Sequence, residues 1–164
     1  MELMIKKGYK QTEVGLIPED WSVEPIGDLA SISTGGSDTQ DRIDDGAYPF
    51  FVRSQTIERI NKFSFDGEAI LTSGDGVGVG KIFHYVNCKF DYHQRVYNIH
   101  NYRNDVIGKY LFFQFSTNFF DRVMAMTAKS SVDSVRREMI ADMQIPIPPT
   151  LTEQKAIATA LSDV

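Results

Sequence analysis

A single cysteine, Cys88, stands among 164 residues, so the chain can form no internal disulfide and no thiolate metal cluster. An isolated cysteine of this kind reads as a small core residue. Histidine is scarce too: His84, His93 and His100 are nine and seven residues apart, without the close pair on one face that a zinc site uses. No run of 18 apolar residues is present, and MELMIKKGYK has no apolar stretch of signal-peptide length. Both absences predict a cytoplasmic protein with no membrane partner. Basic side chains are outnumbered 17 to 22, for a net charge of −5, a balance that read alone opposes binding to phosphate backbones.

Several catalytic signatures are missing as well. The chain has no Gly-x-Ser-x-Gly elbow, no Asn-Pro-Pro-Tyr-like tetrapeptide and no Phe-x-Gly-x-Gly cofactor loop of an adenine methyltransferase. Pro18, Glu19 and Asp20 with Glu153 and Lys155 superficially resemble nuclease residues, but the second pair opens a helix. The stretch GDGVGVGK, 74–81, invites a nucleotide-binding reading and fails its register: Asp75 and Ile82 stand where a phosphate loop needs glycine and a hydroxyl. A dinucleotide fingerprint fails at Val79 or Lys81, where its third glycine belongs. The stretch reads as a glycine-rich turn or bulge between strands, in which backbone can approach a ligand closely and Lys81 can meet a phosphate.

What is present fits one folded domain: 42% apolar and 24% charged residues, in a length that supports one core. Charge is unevenly placed. Residues 1–50 hold four basic and ten acidic side chains, whereas residues 81–137 hold nine basic and four acidic. The later part is therefore suited to an anion, unless the imbalance is only a solvated surface.

The opening, rich in glycine with Pro18 and Pro25, predicts little regular structure before Leu29, and Trp21 is expected to bury its ring at the domain edge. Strand-like segments follow at 48–53, 68–72, 81–86 and 95–100. The period then becomes helical, with Leu111, Phe115, Phe119 and Val123 recurring every four residues and Phe112, Phe120 and Met124 beside them. A polar loop at 127–134 is expected to end at Ser134 as N-cap of a short helix. IPIPP, 145–149, forbids helix and predicts extended backbone. Thr150 and Glu153 then have capping-box spacing, and Ile157, Leu161 and Val164 form one helix stripe that ends without a stop signal, as in a helix cut short or continued. The fold class is α+β, a curled and mostly antiparallel sheet with packed helices. One folded domain is expected over 1–147, and a proline-rich joint with the start of a long helix over 148–164.

Three groups of side chains can meet nucleic acid. His93, Gln94 and Arg95 carry groups able to bond base edges, Gln to adenine and Arg to guanine. The plainer reading is a polar strand end with Asp91 pairing His93 or Arg95. Lys129, Ser130, Ser131, Ser134, Arg136 and Arg137 supply hydroxyls and cations suited to phosphate oxygens, or else a solvated capped helix. Arg53 and Gln55, after the YPFF strand, are additional readers or ordinary surface.

Two bracketing stretches carry a resemblance. YKQTEVGLIPEDWSVEPIGDLA resembles the opening of a recognition domain from a type I restriction-modification specificity subunit: Tyr, Lys, Thr-Glu, Gly-x-Ile-Pro, Trp, then a leucine-bearing segment. MQIPIPPTLTEQKAIATAL resembles its end, an Ile-Pro-x-Pro-Pro segment followed by Glu-Gln-Lys-x-Ile-Ala and a long helix. About 120 residues separate them, as in one such domain. The family implies a noncatalytic module that reads one half of a split double-stranded DNA site. Its implied partners are methylation subunits, which bind S-adenosylmethionine, and a restriction subunit that uses ATP; no cofactor is expected on this chain. The stripe of Ile157, Leu161 and Val164 would dock against a second helix, through which a second recognition domain in the same chain or a dimer partner joins. Residues Leu151 to Val164 would span roughly 20 Å as helix, too short for a complete spacer. The alternatives are a nucleotide-dependent enzyme using 74–81 as a phosphate loop and a purely structural oligomerisation module.

Overall fold

Gly15, at φ +105°, reverses the chain beside Thr12, whose hydroxyl accepts the Val14 N–H and donates to the Gly15 carbonyl. The reversal pairs β1 (Tyr9–Thr12) with β2 (Gly15–Pro18) as an antiparallel hairpin. This computed structural model describes residues 7–127 and 134–163. Regular structure thus begins at Tyr9, well before Leu29 and against the sequence expectation, and β3 (Ser22–Pro25) extends it by taking its partner from residues 144–147. That partner is β10 (Gln144–Ile147), with Pro146 opposite Val23. A pairing across so long a separation leaves no local signal. Trp21 is half-buried, with its N–H donated to the Pro18 carbonyl.

After the single turn of α1 (Ile26–Leu29) come β4 (Ser31–Thr34), a short 3-10 turn at Thr39–Asp41, β5 (Tyr48–Phe51), β6 (Ile57–Ile60), β7 (Phe65–Ser73), β8 (Phe83–Tyr92) and β9 (Val96–His100). They form one six-stranded sheet in the order β4-β9-β7-β8-β5-β6. Neighbours are antiparallel except β5 and β8, which run parallel at Phe50↔Asp91 and Phe51↔Tyr92. The mostly antiparallel α+β class read from the sequence is the one observed. Alternation along the strands divides the apolar residues between two faces. Ile70 and Ile99 face the helices, while Phe51, Ala69, Leu71, Phe90, Tyr92 and Val96 pack together on the opposite face.

Helix α2 (Gly108–Thr127) lies on the first face. Its predicted stripe of Leu111, Phe115, Phe119 and Val123 is buried, each large side chain contributing about 1.5–3 kcal/mol, while Phe120 and Met124 stand partly in solvent. The next helix starts later than expected. Ser134 is not its N-cap: Val135 is buried and donates its N–H to the Gly74 carbonyl, which keeps the chain extended, so α3 (Arg137–Ala141) starts three residues on.

Helix α4 (Leu151–Ser162) opens as its spacing predicts, with the Thr150 hydroxyl accepting the Glu153 N–H at 3.2 Å. Buried Gln154 fastens it to the domain, accepting the Ile107 N–H at 2.8 Å and donating to the carbonyls of Asp105 at 2.8 Å and Pro148 at 3.4 Å. Ile157 is partly buried beside Ala158, Leu161 is 45% exposed, and Val164 lies outside the described residues. Among the described residues no helix is long and apolar enough to cross a membrane.

Candidate nucleic-acid interface

The tight turn from β8 to β9 presents Gln94 and Arg95 to solvent on a buried base. His93 is only 2% exposed, which corrects its reading as a base contact: its ring cannot reach a groove. Instead its Nδ1 accepts the Arg95 N–H at 2.9 Å, which places the ring proton on Nε2, 3.6 Å from Asp38 Oδ1. Backbone bonds lock the turn from three sides. His93 donates to the Phe51 carbonyl, its own carbonyl accepts from Gly35 and Val96, and Gln94 donates to the Ser37 carbonyl. A Cβ on Gly35 would overlap the Tyr92 carbonyl, so glycine is required for this approach. Burial, with the nearby Arg53 charge, holds the His93 imidazole below its ordinary pKa, against the opposing pull of Asp38 and Asp75.

Asp91 does not pair with His93 or Arg95. It turns inward, buried, and accepts the hydroxyls of Ser37 and Ser64, each at 2.6 Å. The loop before the 3-10 turn is thereby tied to β8. Gln94 donates its side-chain N–H to Asp38 Oδ1 at 2.7 Å. Arg95 is exposed and, among the described residues, its guanidinium has no hydrogen bond or ion pair.

A second set of contacts joins this turn to the glycine-rich loop. Gly74 donates to the Arg95 carbonyl, Asp75 pairs as an isolated bridge with Ser134, and Asp75 Oδ1 accepts from Arg53 Nη1 at 2.7 Å. Tyr97 donates its hydroxyl to the Val135 carbonyl at 2.9 Å, which brings Arg136 and Arg137 alongside. Gln55 reaches the Phe83 carbonyl at 3.4 Å, and Lys81 lies 5.5 Å above the Phe120 ring. Loop and turn therefore bring Arg53, Arg95 and Ser134 together round Gly74 and Asp75, with Arg136 and Arg137 following Ser134, while Gln94 reaches Asp38 and Gln55 the Phe83 carbonyl. Lys81 stands on the far side of the loop, at α2. Lys129, Ser130 and Ser131 lie outside the described residues.

The electrostatics are mixed. Five exposed cations, Arg53, Lys81, Arg95, Arg136 and Arg137, accompany three carboxylates, Asp38, Asp75 and Glu138, each bonded to a neighbouring polar or cationic group. Carboxylates placed this way orient their partners rather than cancel the site. Asp38 and Asp75 escaped sequence reasoning because their partners lie 56 and 22 residues away. Loop 74–81 joins two antiparallel strands and opens no helix, whose N-terminal amides a phosphate loop uses.

A family model described as "Type I restriction modification DNA specificity domain" matches residues 18–164. The chain is 30% identical over 147 residues to the type I restriction enzyme EcoDI specificity subunit of Escherichia coli, covering 90% of this chain and 32% of that protein. Among solved structures it resembles the S subunit of a type I restriction-modification system from M. genitalium, with TM-score 0.73 at 18% identity, covering 98% of this chain and 40% of that one. It also resembles the HsdS subunit of Thermoanaerobacter tengcongensis, with TM-score 0.67 at 15% identity, covering 97% and 40%. At these identities the structural likeness is one of fold. The chain spans about a third of the curated relative and two fifths of these structures.

Proposed function

The chain belongs to the type I restriction modification DNA specificity domain family, and from that membership we propose that it reads one half of a bipartite double-stranded DNA site, without catalysis of its own. The observation that carries this reading is the gathering of Arg53, Arg95 and Ser134 round the glycine-rich loop with exposed Gln94 beside Arg95, whose amide and guanidinium groups suit base edges in a major groove. Ser134, Arg136 and Arg137 beside it suit phosphate oxygens, which set register and add a salt-dependent attraction. Lys81 is assigned to a phosphate at the margin.

Methylation and restriction subunits are the proposed protein partners, in keeping with a matched solved structure described as an assembly of the type I system. S-adenosylmethionine and ATP belong on those partners. The exposed side of α4, with Leu161, is assigned to a second recognition domain in a longer chain or a dimer partner.

Selection of bound sequences from a random DNA pool by the complete methyltransferase assembly tests the reading. The expected result is a preferred half-site whose affinity falls as salt rises. Equal recovery of all sequences would overturn it.

A further inference from the structure

We propose that Asp38 and His93 are a positioning pair that sets the side-chain amide of Gln94 to recognise adenine. The inference rests on the DNA-reading function proposed above and adds a base identity at one position.

A free glutamine amide can present either end to a groove, and its two orientations favour different bases. A carboxylate only accepts hydrogen bonds. Asp38 Oδ1, 2.7 Å from Gln94 Nε2, therefore selects the nitrogen end of the amide and rejects the oxygen end. The second N–H and Oε1 remain without partners among the described residues. One donor beside one acceptor in a fixed plane matches the N7 acceptor and N6 donor of adenine. Guanine offers two acceptors at that edge and would leave Oε1 unpaired.

The selection works only if Asp38 itself is fixed, and its surroundings fix it. Asp38 begins the 3-10 turn, donating its N–H to Asp41 Oδ2 at 2.8 Å while its carbonyl accepts from Asp41. Ser37, one residue earlier, is buried, bridges to His93 and donates to buried Asp91. From the other side, the buried His93 ring holds the Arg95 N–H and turns its protonated Nε2 toward the same Asp38 oxygen that accepts from Gln94. Carboxylate and amide are thus hydrogen-bonded to each other, and the buried imidazole stands behind them with Nε2 3.6 Å from the shared oxygen.

An exposed carboxylate at a DNA-facing edge repels phosphate, so a purely electrostatic site would do better without it. This gives the pair a signature that a scaffold residue lacks. Replacing Asp38 should raise nonspecific affinity while lowering discrimination at one base pair.

The test repeats the selection with the complete assembly for wild type, Asp38→Asn, Gln94→Ala, His93→Ala and His93→Asn. In the last variant the asparagine oxygen can take over the acceptor role of Nδ1. We expect wild type to select adenine at one position, and Asp38→Asn and Gln94→Ala to relax that position alone, by about 5- to 150-fold. Asp38→Asn should bind scrambled duplex more tightly than wild type. His93→Ala should relax the same position and His93→Asn restore part of it. Replacing the selected adenine by 7-deazaadenine should weaken wild type and leave Gln94→Ala unaffected. A selective wild type whose Asp38→Asn variant keeps every preference, relaxes all positions equally, or relaxes a G·C pair would overturn the positioning role alone. A wild type with no preference at all would overturn the DNA-reading function and this inference with it.

Discussion

The Gly74 N–H lies 2.6 Å from the Arg95 carbonyl oxygen, and a Cβ on Gly74 would sit 2.6 Å from that same atom. Only a residue without a side chain lets the end of β7 approach the turn that presents Arg95. Gly74→Ala must push the two apart and break the bond. We expect a loss of about 1–3 kcal/mol in urea denaturation, typical of overpacking, together with weaker selectivity in DNA binding. A variant as stable as wild type would show that the contact is not tight.

Arg95 and the pair Arg136 and Arg137 should separate by salt. With the complete assembly, Arg95→Ala is expected to cost about 1–3 kcal/mol on the preferred site and little on scrambled duplex. Replacing Arg136 and Arg137 by alanine should weaken both duplexes alike and flatten the dependence of affinity on salt by roughly one unit of slope per lost phosphate contact. Filter-binding titrations at several salt concentrations distinguish the two patterns, and an identical loss in both variants would refute the division of roles.

Stability should depend on pH through the histidines. Burial holds the imidazoles of His84, His93 and His100 below their ordinary value of 6.5. At His93, Arg53 and Arg95 add to the lowering, while Asp38 and Asp75 oppose it. The folded chain therefore favours neutral rings, and the unfolded chain takes up protons first as the medium acidifies. This contribution is complete above pH 6.5 and is lost as pH falls toward the folded-state values. Denaturation midpoints should fall between pH 7.5 and 5.5, and His93→Asn should reduce the slope. A midpoint unchanged over that range would rule the mechanism out.

Gln154 offers a sharper stability test than the apolar stripe on the same helix. Its amide satisfies the Ile107 N–H and the Asp105 carbonyl, so Gln154→Leu leaves backbone groups without partners in a buried setting. About 2–4 kcal/mol of destabilisation is expected from two such groups, against under 1 kcal/mol for Leu161→Ala on the exposed side. Equal effects in thermal melts would place the anchoring elsewhere.

Periodicity made the architecture legible where partners are near in sequence. The spacing of Leu111, Phe115, Phe119 and Val123 marks α2, and Thr150 with Glu153 marks the start of α4 because a cap acts over three residues. Residue types single out Gln94 and Arg95 as candidates, and both are exposed at the turn from β8 to β9. What sequence reading missed depends on distant partners. His93 looks like a reader until β5 and the 35–38 loop close over it. Ser134 looks like a cap until Val135 pairs with Gly74.

The pairing of β3 with β10 also constrains how the chain reaches its fold. Ser22 must wait for Ile147, so the first strand of that ribbon has no partner until residues 144–147 have left the ribosome. Closing so long a loop is a late and entropically costly step. The domain should therefore complete its structure in one concluding event that joins its two ends, and nascent chains lacking residues 144–147 should be the ones that proteases and chaperones intercept.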